Sequence, residues 1–167
     1  MDVVLDSSSL NHLLRSPRKR RGGGQEEFEC SIDPFINSGK LRLALDPARA
    51  LVDEWRQTCD SEAVQVLITQ WEANNGIFVV DAAGKISPAD TKTLKSLGFN
   101  DTCDKLVVRI ALVTDDRIIV SEDSDFWDPK TKANRGNKNA PVARLLREAM
   151  EITVLGLAIL IRKLDQG

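Results

Sequence analysis

The 167-residue chain carries 23 Lys and Arg against 25 Asp and Glu, a formal net charge of -2, with 42% hydrophobic and 29% charged residues. That composition excludes a chain disordered throughout or a fibrous one, and it gives no global positive field, so any nucleic-acid partner has to be met by a local patch. Area scaling lets a chain of this size bury roughly 70% of its unfolded surface, so a single domain with a sizeable core is expected over residues 1–167.

The longest apolar run, Ile152 to Ile161, is far short of a bilayer span, and Met1 to Asp6 carries acid where a secretory leader would carry base. A cytoplasmic protein with no membrane contact is the expectation. Cys30, Cys59 and Cys103 lie far apart with no Cys-x-x-Cys pair, and His12 is the only histidine. A zinc site of ordinary ligand count is thereby excluded, and the thiols are read as free. Ser-His-Asp and Cys-His schemes lack a base unless His12 serves, and no Gly-x-Ser-x-Gly accompanies it, so His12 is read as structural.

In chain order, Val3-Val4-Leu5 reads as a first strand ending at Asp6, with a helix after it. Arg15 to Glu29 holds Arg18, Lys19, Arg20 and Arg21, then three glycines and three glutamates, and reads as a mobile surface loop. Leu41 to Leu45 is a second strand ending at Asp46. Asp46-Pro47 then reads as N-cap and first helical residue of a helix with Ala48, Leu51, Val52 and Trp55 on one side, running to about Cys59. Ser61 to Ala73 is helical, with Val64, Leu67, Ile68 and Trp71 aligned and Asn74-Asn75-Gly76 as its stop. Ile77 to Val80 is a third strand ending at Asp81, and Ser87-Pro88 opens a short helix ended by Gly98. Asp101 to Asp104 precedes Leu106, Val107, Ile110 and Ala111, a capped amphipathic helix reaching about Thr114. Ile118 to Val120 is a fourth strand. Asp128 to Asn139, with Lys130, Lys132, Arg135 and Lys138, is a second mobile loop; Pro141 to Met150 is a helix and Ile152 to Leu155 a fifth strand. Strands alternating with helices predict an α/β three-layer sandwich around a mainly parallel five-stranded sheet, because parallel neighbours need crossovers of this length.

In an open parallel sheet the ligand crevice lies beyond the carboxyl ends of the strands, where the strand order switches. Acids fall there: Asp6 after the first strand, Asp123 and Asp125 after the fourth, with Glu54 and Asp104 on helices able to reach in. If strands one and four are neighbours, four or five carboxylates converge. Such a patch repels itself in a partly desolvated cleft and calls for a cation. Oxygen ligands with no His or Cys select Mg²⁺ or Mn²⁺, the equipment for metal-assisted phosphodiester hydrolysis. Each acid also has a plainer reading. Asp6 could cap the first helix, Asp104 could complete a capping box begun at Asp101, Glu54 could sit on an exposed helix face beside Asp53, and Asp123 and Asp125 could be turn residues.

Four stretches carry a likeness to a known family: Val3-Val4-Leu5-Asp6-Ser7-Ser8, Leu51-Val52-Asp53-Glu54-Trp55, Asp104 to Leu112, and Ile118-Ile119-Val120-Ser121-Glu122-Asp123-Ser124-Asp125-Phe126. In this the chain resembles a PIN domain, a ribonuclease fold found in toxins of toxin-antitoxin pairs and in RNA-processing proteins. The last stretch is the most specific. The resemblance implies strand order 3-2-1-4-5, metal binding by Asp6, Glu54, Asp104 and Asp123, a further acid at Asp125, and a hydroxyl at Ser121 that helps position the metal-bound water or the substrate. It implies an endoribonuclease acting on RNA, with an antitoxin protein and a homodimer as partners to look for; Trp55, Trp71 and the Leu157 to Leu164 tail are read as the apolar surface for the latter. The insertion from Arg15 to Glu29 and the extended loop after Phe126 depart from compact members. Arg18, Lys130, Lys132, Arg135 and Lys138 are the candidates for holding RNA phosphates near the metal. With few aromatic residues among them, stacking on unpaired bases is not supported, and Trp127 is read as packing. Two other readings stand: a non-catalytic RNA-binding or protein-interaction module on the same fold, and a phosphoacceptor or phosphatase, for which Lys163 and Arg162 are the only basic residues beyond a late strand.

Overall fold

The computed structural model describes residues 1–15 and 32–167. Five strands form one sheet: β1 (Asp2–Leu5), β2 (Arg42–Leu45), β3 (Ile77–Val79), β4 (Ile118–Val120) and β5 (Thr153–Leu155). All pairings are parallel, in the order β3-β2-β1-β4-β5. The central β1 and β4 are buried along their whole length, whereas β3 and β5 at the edges are partly exposed, which is why the inner strands read as unbroken apolar runs.

The chain moves from β1 out to β3 and then returns past β1 to β4 and β5, so right-handed crossovers put the two sets of helices on opposite faces of the sheet. The first set is α1 (Ser7–Arg15), α2 (Asp33–Asn37), α3 (Ala50–Thr58) and α4 (Ser61–Ala73); the second is α5 (Pro88–Leu97), α6 (Thr102–Ala111) and α7 (Pro141–Met150). A last helix, α8 (Leu157–Gln166), follows β5. α6 packs along β1, β2 and β4 and also touches α3, which brings Asp104 and Glu54 toward the same end of the sheet.

Several helix ends follow cap chemistry. Asp60 accepts from Ala63 N (2.9 Å) to start α4, and Ser87 accepts from Asp90 N (3.1 Å) to start α5, which Gly98 closes at φ 95°. α3 corrects the expectation at Asp46-Pro47. These two residues form a turn, Arg49 takes a left-handed φ of 59°, and the helix begins at Ala50. The Asp46 carboxylate nevertheless caps it from outside, accepting from Ala50 N (2.9 Å) and Leu51 N (3.0 Å). α6 stops at Ala111 because the next residues tighten into single turns, Val113 N to Ile110 O (3.1 Å) and Thr114 N to Ala111 O (3.2 Å).

Burial overturns the proposed association surface. Trp55 and Trp71 are fully buried, and the Leu157 to Leu164 tail is a helix whose Leu157, Leu160 and Leu164 face the core. Trp127 is buried as expected. The Trp71 indole N–H donates to the buried Asp33 carboxylate at 2.8 Å, tying α2 to α4. Trp71→Ala is expected to cost about 3–5 kcal/mol through lost transfer energy and the cavity left behind. Trp71→Phe, which keeps most of the bulk, should cost about 1–3 kcal/mol by withdrawing one donor from a buried carboxylate. Urea denaturation of the two variants beside the parent checks both, and a Phe variant as stable as the parent would show that the hydrogen bond contributes nothing.

Candidate functional site

The register sets the site. Leu5 pairs with Val120 across β1 and β4, and Asp6 N continues the ladder onto Val120 O at 2.9 Å, so Asp6 and Ser121 leave neighbouring strands side by side. The chain departs from β1 toward β2 and from β4 toward β5, in opposite directions, which opens the crevice of a strand-order switch above them.

Asp6 is buried at 2% exposure and is held by hydroxyls. Its Oδ2 accepts from Ser8 Oγ (2.5 Å) and from Ser121 Oγ (2.8 Å). Ser8 Oγ in turn accepts from Glu122 N (3.0 Å), and Ser121 Oγ from Asp123 N (3.0 Å), so two serines lock the turn after β4 onto the turn after β1. Asp123 Oδ1 caps the short 3-10 turn Ser124–Phe126 by accepting from Asp125 N (3.0 Å). Glu122 points elsewhere: its Oε1 accepts from Leu157 N (2.6 Å) and caps α8. The Asp125 carboxylate is paired with the Lys132 ammonium.

Two helices complete the cluster. Glu54 on α3 accepts from Ser7 Oγ (3.0 Å) through Oε1, while its Oε2 is buried without a hydrogen-bond partner. Asp101 caps α6 by accepting from Cys103 N (2.7 Å) and Asp104 N (3.3 Å), which sets Asp104 in the first turn of that helix. Burial pushes the Asp104 carboxyl up, and the charges of Asp6, Asp101, Asp123 and Asp125 push it further, to about 8. Burial likewise raises Asp6, against the hydroxyls of Ser8 and Ser121 and with the charge of Asp123. It raises Glu54 too, opposed by Ser7 and Cys103 and reinforced by Asp6 and Asp101. The Cys103 thiol, beside Glu54, is held up at about 11 by burial and by that carboxylate, so it is no nucleophile at neutral pH.

Of the five acids predicted from the sequence, Asp104 thus feels Asp6, Asp123 and Asp125, Asp6 feels Asp123, and Glu54 feels Asp6. They do not form a finished cage: among the described residues no three Asp, Glu, His or Cys side chains are gathered closely enough to hold a metal ion. Several of their oxygens also have partners within the chain. Asp6 Oδ2 is taken by two serines, Asp123 Oδ1 by a backbone cap, and Asp125 by a lysine. The donor chemistry suits a hard dication all the same, with carboxylate oxygens only and one of them, Glu54 Oε2, desolvated and unpartnered.

Ser121 is fully buried with its hydroxyl committed to Asp6 and Asp123, so it holds carboxylates in place and does not face a substrate. Of the basic candidates, Lys132 reaches an acid of the site. Lys130, Arg135 and Lys138 are exposed on the same loop, and Arg18 lies outside the described residues. That loop is braced and not slack, as described below; the stretch from 16 to 29 lies outside the described residues. Cys59 and Cys103 are free thiols, and Cys30 is outside the described residues. Lys163 is exposed on α8. Among the described residues no helix is long and apolar enough to cross a membrane. Ser7 and Ser8 have no role in the sequence pattern, although the Asp-Ser-Ser run after a strand is in view, whereas Asp101 caps its helix as the capping reading expects. No known protein-family model, curated protein or solved structure matches the chain.

Proposed function

We propose that the chain is a Mg²⁺- or Mn²⁺-dependent endoribonuclease of PIN-like type. The observation that supports this reading is that Asp6, Asp104 and Asp123 act on one another's charge at the carboxyl ends of β1 and β4, with burial and those charges raising the Asp104 carboxyl to about 8. A folded chain that keeps mutually repelling, desolvated carboxylates at a ligand crevice is built for a positive occupant.

Asp6, Glu54, Asp104 and Asp123 would hold the ion. When bound, it supplies Lewis-acid activation of water and of the scissile phosphate. The chain's own residues do the rest. Ser8 and Ser121 fix Asp6 and, through Glu122 N and Asp123 N, set the distance between the two strand-end acids. A cation held there would favour the ionised form of Asp104 by offsetting the charges of Asp6, Asp101, Asp123 and Asp125 that, after burial, raise its carboxyl. Lys130, Arg135 and Lys138, exposed on the loop after the site, offer charge for RNA phosphates, which the acidic pocket would otherwise repel.

The test is incubation of the purified chain with total RNA, with and without Mn²⁺ or Mg²⁺, followed by mapping of cut ends. Cleavage that needs the ion and stops with chelator is expected. RNA retention without cleavage under every ion condition would favour the second reading, a non-catalytic RNA-binding module, for which the engagement of Asp6, Asp123 and Asp125 by hydroxyls, backbone and lysine is the supporting observation.

A further inference from the structure

The loop from 128 to 139 does something its composition does not announce. Basic residues on a solvated loop ordinarily point outward, yet the Lys132 ammonium turns back onto the Asp125 carboxylate. It does so from a backbone that is not relaxed: Lys132 has φ 53° and Asn134 φ 61°, both left-handed and both with a side chain to accommodate. The shape is held by Asp128, which is itself nearly buried. Its backbone O accepts from Lys132 N (2.9 Å), its Oδ1 from Thr131 N (3.3 Å) and its Oδ2 from Asn134 Nδ2 (3.1 Å), and it forms a bridge with Ala133. The base of the loop is anchored as well. Trp127 is buried and its carbonyl accepts from Val142 N (3.0 Å), while Phe126 packs edge-on against Phe99 with ring centroids 5.3 Å apart.

Asp125 is joined to the centre of the site, because its own N–H donates to Asp123 Oδ1 at 3.0 Å. A positive group on Asp125 thus stands at the door of the acids proposed to hold a dication. The hydrogen bond to Asp125 raises that ammonium's affinity for its proton, and the charges of Asp125, Asp123 and Asp104 add to it. The Lys132 side chain is 60% exposed and Asp125 25% exposed, so water screens the pair and the ammonium offsets the acids only in part.

We propose that Lys132 is a tethered counter-cation: its ammonium, held on Asp125, partly neutralises the acidic site when no dication is bound and opposes the loading of one by its charge, which sets the ion concentration at which the site fills. The inference rests on the metal-dependent reading above. It goes beyond the expectation that Lys132 binds RNA phosphate, since the pairing with Asp125 acts on ion binding in the absence of RNA.

Isothermal titration of Mn²⁺ into the metal-stripped chain, without RNA, tests it with Lys132→Met and Lys132→Arg beside the parent. Met keeps the aliphatic stem and makes the same demand on the backbone, and circular dichroism with thermal melting verifies that each variant is folded. Lys132→Met is expected to bind Mn²⁺ about fivefold more tightly, the size of effect an exposed ion pair carries, and the gain should shrink as ionic strength rises. Lys132→Arg, which keeps the charge, should stay near the parent. Equal or weaker binding by Lys132→Met overturns the counter-cation while leaving the metal site standing. Absence of Mn²⁺ binding in parent and variants alike overturns the metal-dependent reading and this proposal with it.

Discussion

Asp6→Asn and Asp123→Asn are each expected to lower ion-dependent RNA cleavage by about two orders of magnitude or more, the loss that follows when one preorganised electrostatic partner of a developing charge is removed. Neither should unfold the chain. At position 6 the asparagine carbonyl can still accept from Ser8 Oγ and Ser121 Oγ, and at position 123 it can still accept from Asp125 N, so the local hydrogen bonds survive. What disappears is one negative charge from a crevice that has too many. Because burial already disfavours the ionised form of Asp6, the neutral side chain should leave the metal-free chain as stable as the parent or more so. The measurement is cleavage rate against Mn²⁺ concentration alongside a melting curve. A fully active, normally folded Asp6→Asn, Asp123→Asn double variant would end the nuclease reading.

The second large effect is on stability and needs no RNA. Asp6, Glu54 and Asp104 all have carboxyls raised above their ordinary values, Asp104 to about 8. The native state therefore holds protons that the unfolded chain has already released. The stabilisation that follows is complete below about pH 4 and is lost as pH climbs through the native values. In the presence of chelator the chain should lose stability steadily from about pH 5 to pH 8, with Asp104 contributing on the order of a few kcal/mol to that loss. For a domain of this size such a loss is several degrees or more in melting temperature. Asp104→Asn should flatten the profile and melt above the parent at pH 8. Added Mn²⁺ should raise the parent's melting temperature more at pH 8 than at pH 5, since protons compete for the same oxygens. A flat profile for the parent in chelator would show that these carboxylates are neither buried nor crowded enough to matter.

Much of this was legible along the chain because it is written locally. Strands of three or four β-branched and aliphatic residues ending at Asp6, Asp46 and Ser121, and helices opened by Ser87-Pro88 or closed by Asn74-Asn75-Gly76, depend on residues within a turn of one another. The start of α3 escaped because Asp-Pro fits a helix start and a turn equally well, and Arg49 at a left-handed φ has no signature in a pattern of apolar residues. The two tryptophans and the last helix were misread as surface for a related reason. An apolar stripe tells that a face is covered, but not whether by the same chain or by another.

The sequence by itself determined the alternation of strands and helices, the all-oxygen character of the acidic residues, and their position just past strand ends. Tertiary structure alone decided that β1 lies against β4, that hydroxyls 113 residues apart in the chain, Ser8 and Ser121, clamp the same carboxylate, and that Lys132 folds back onto Asp125. The division is physical. Periodicity and capping are set by interactions a few residues long, whereas the charge balance of a site is a sum over groups brought together by packing, and no local pattern carries that sum.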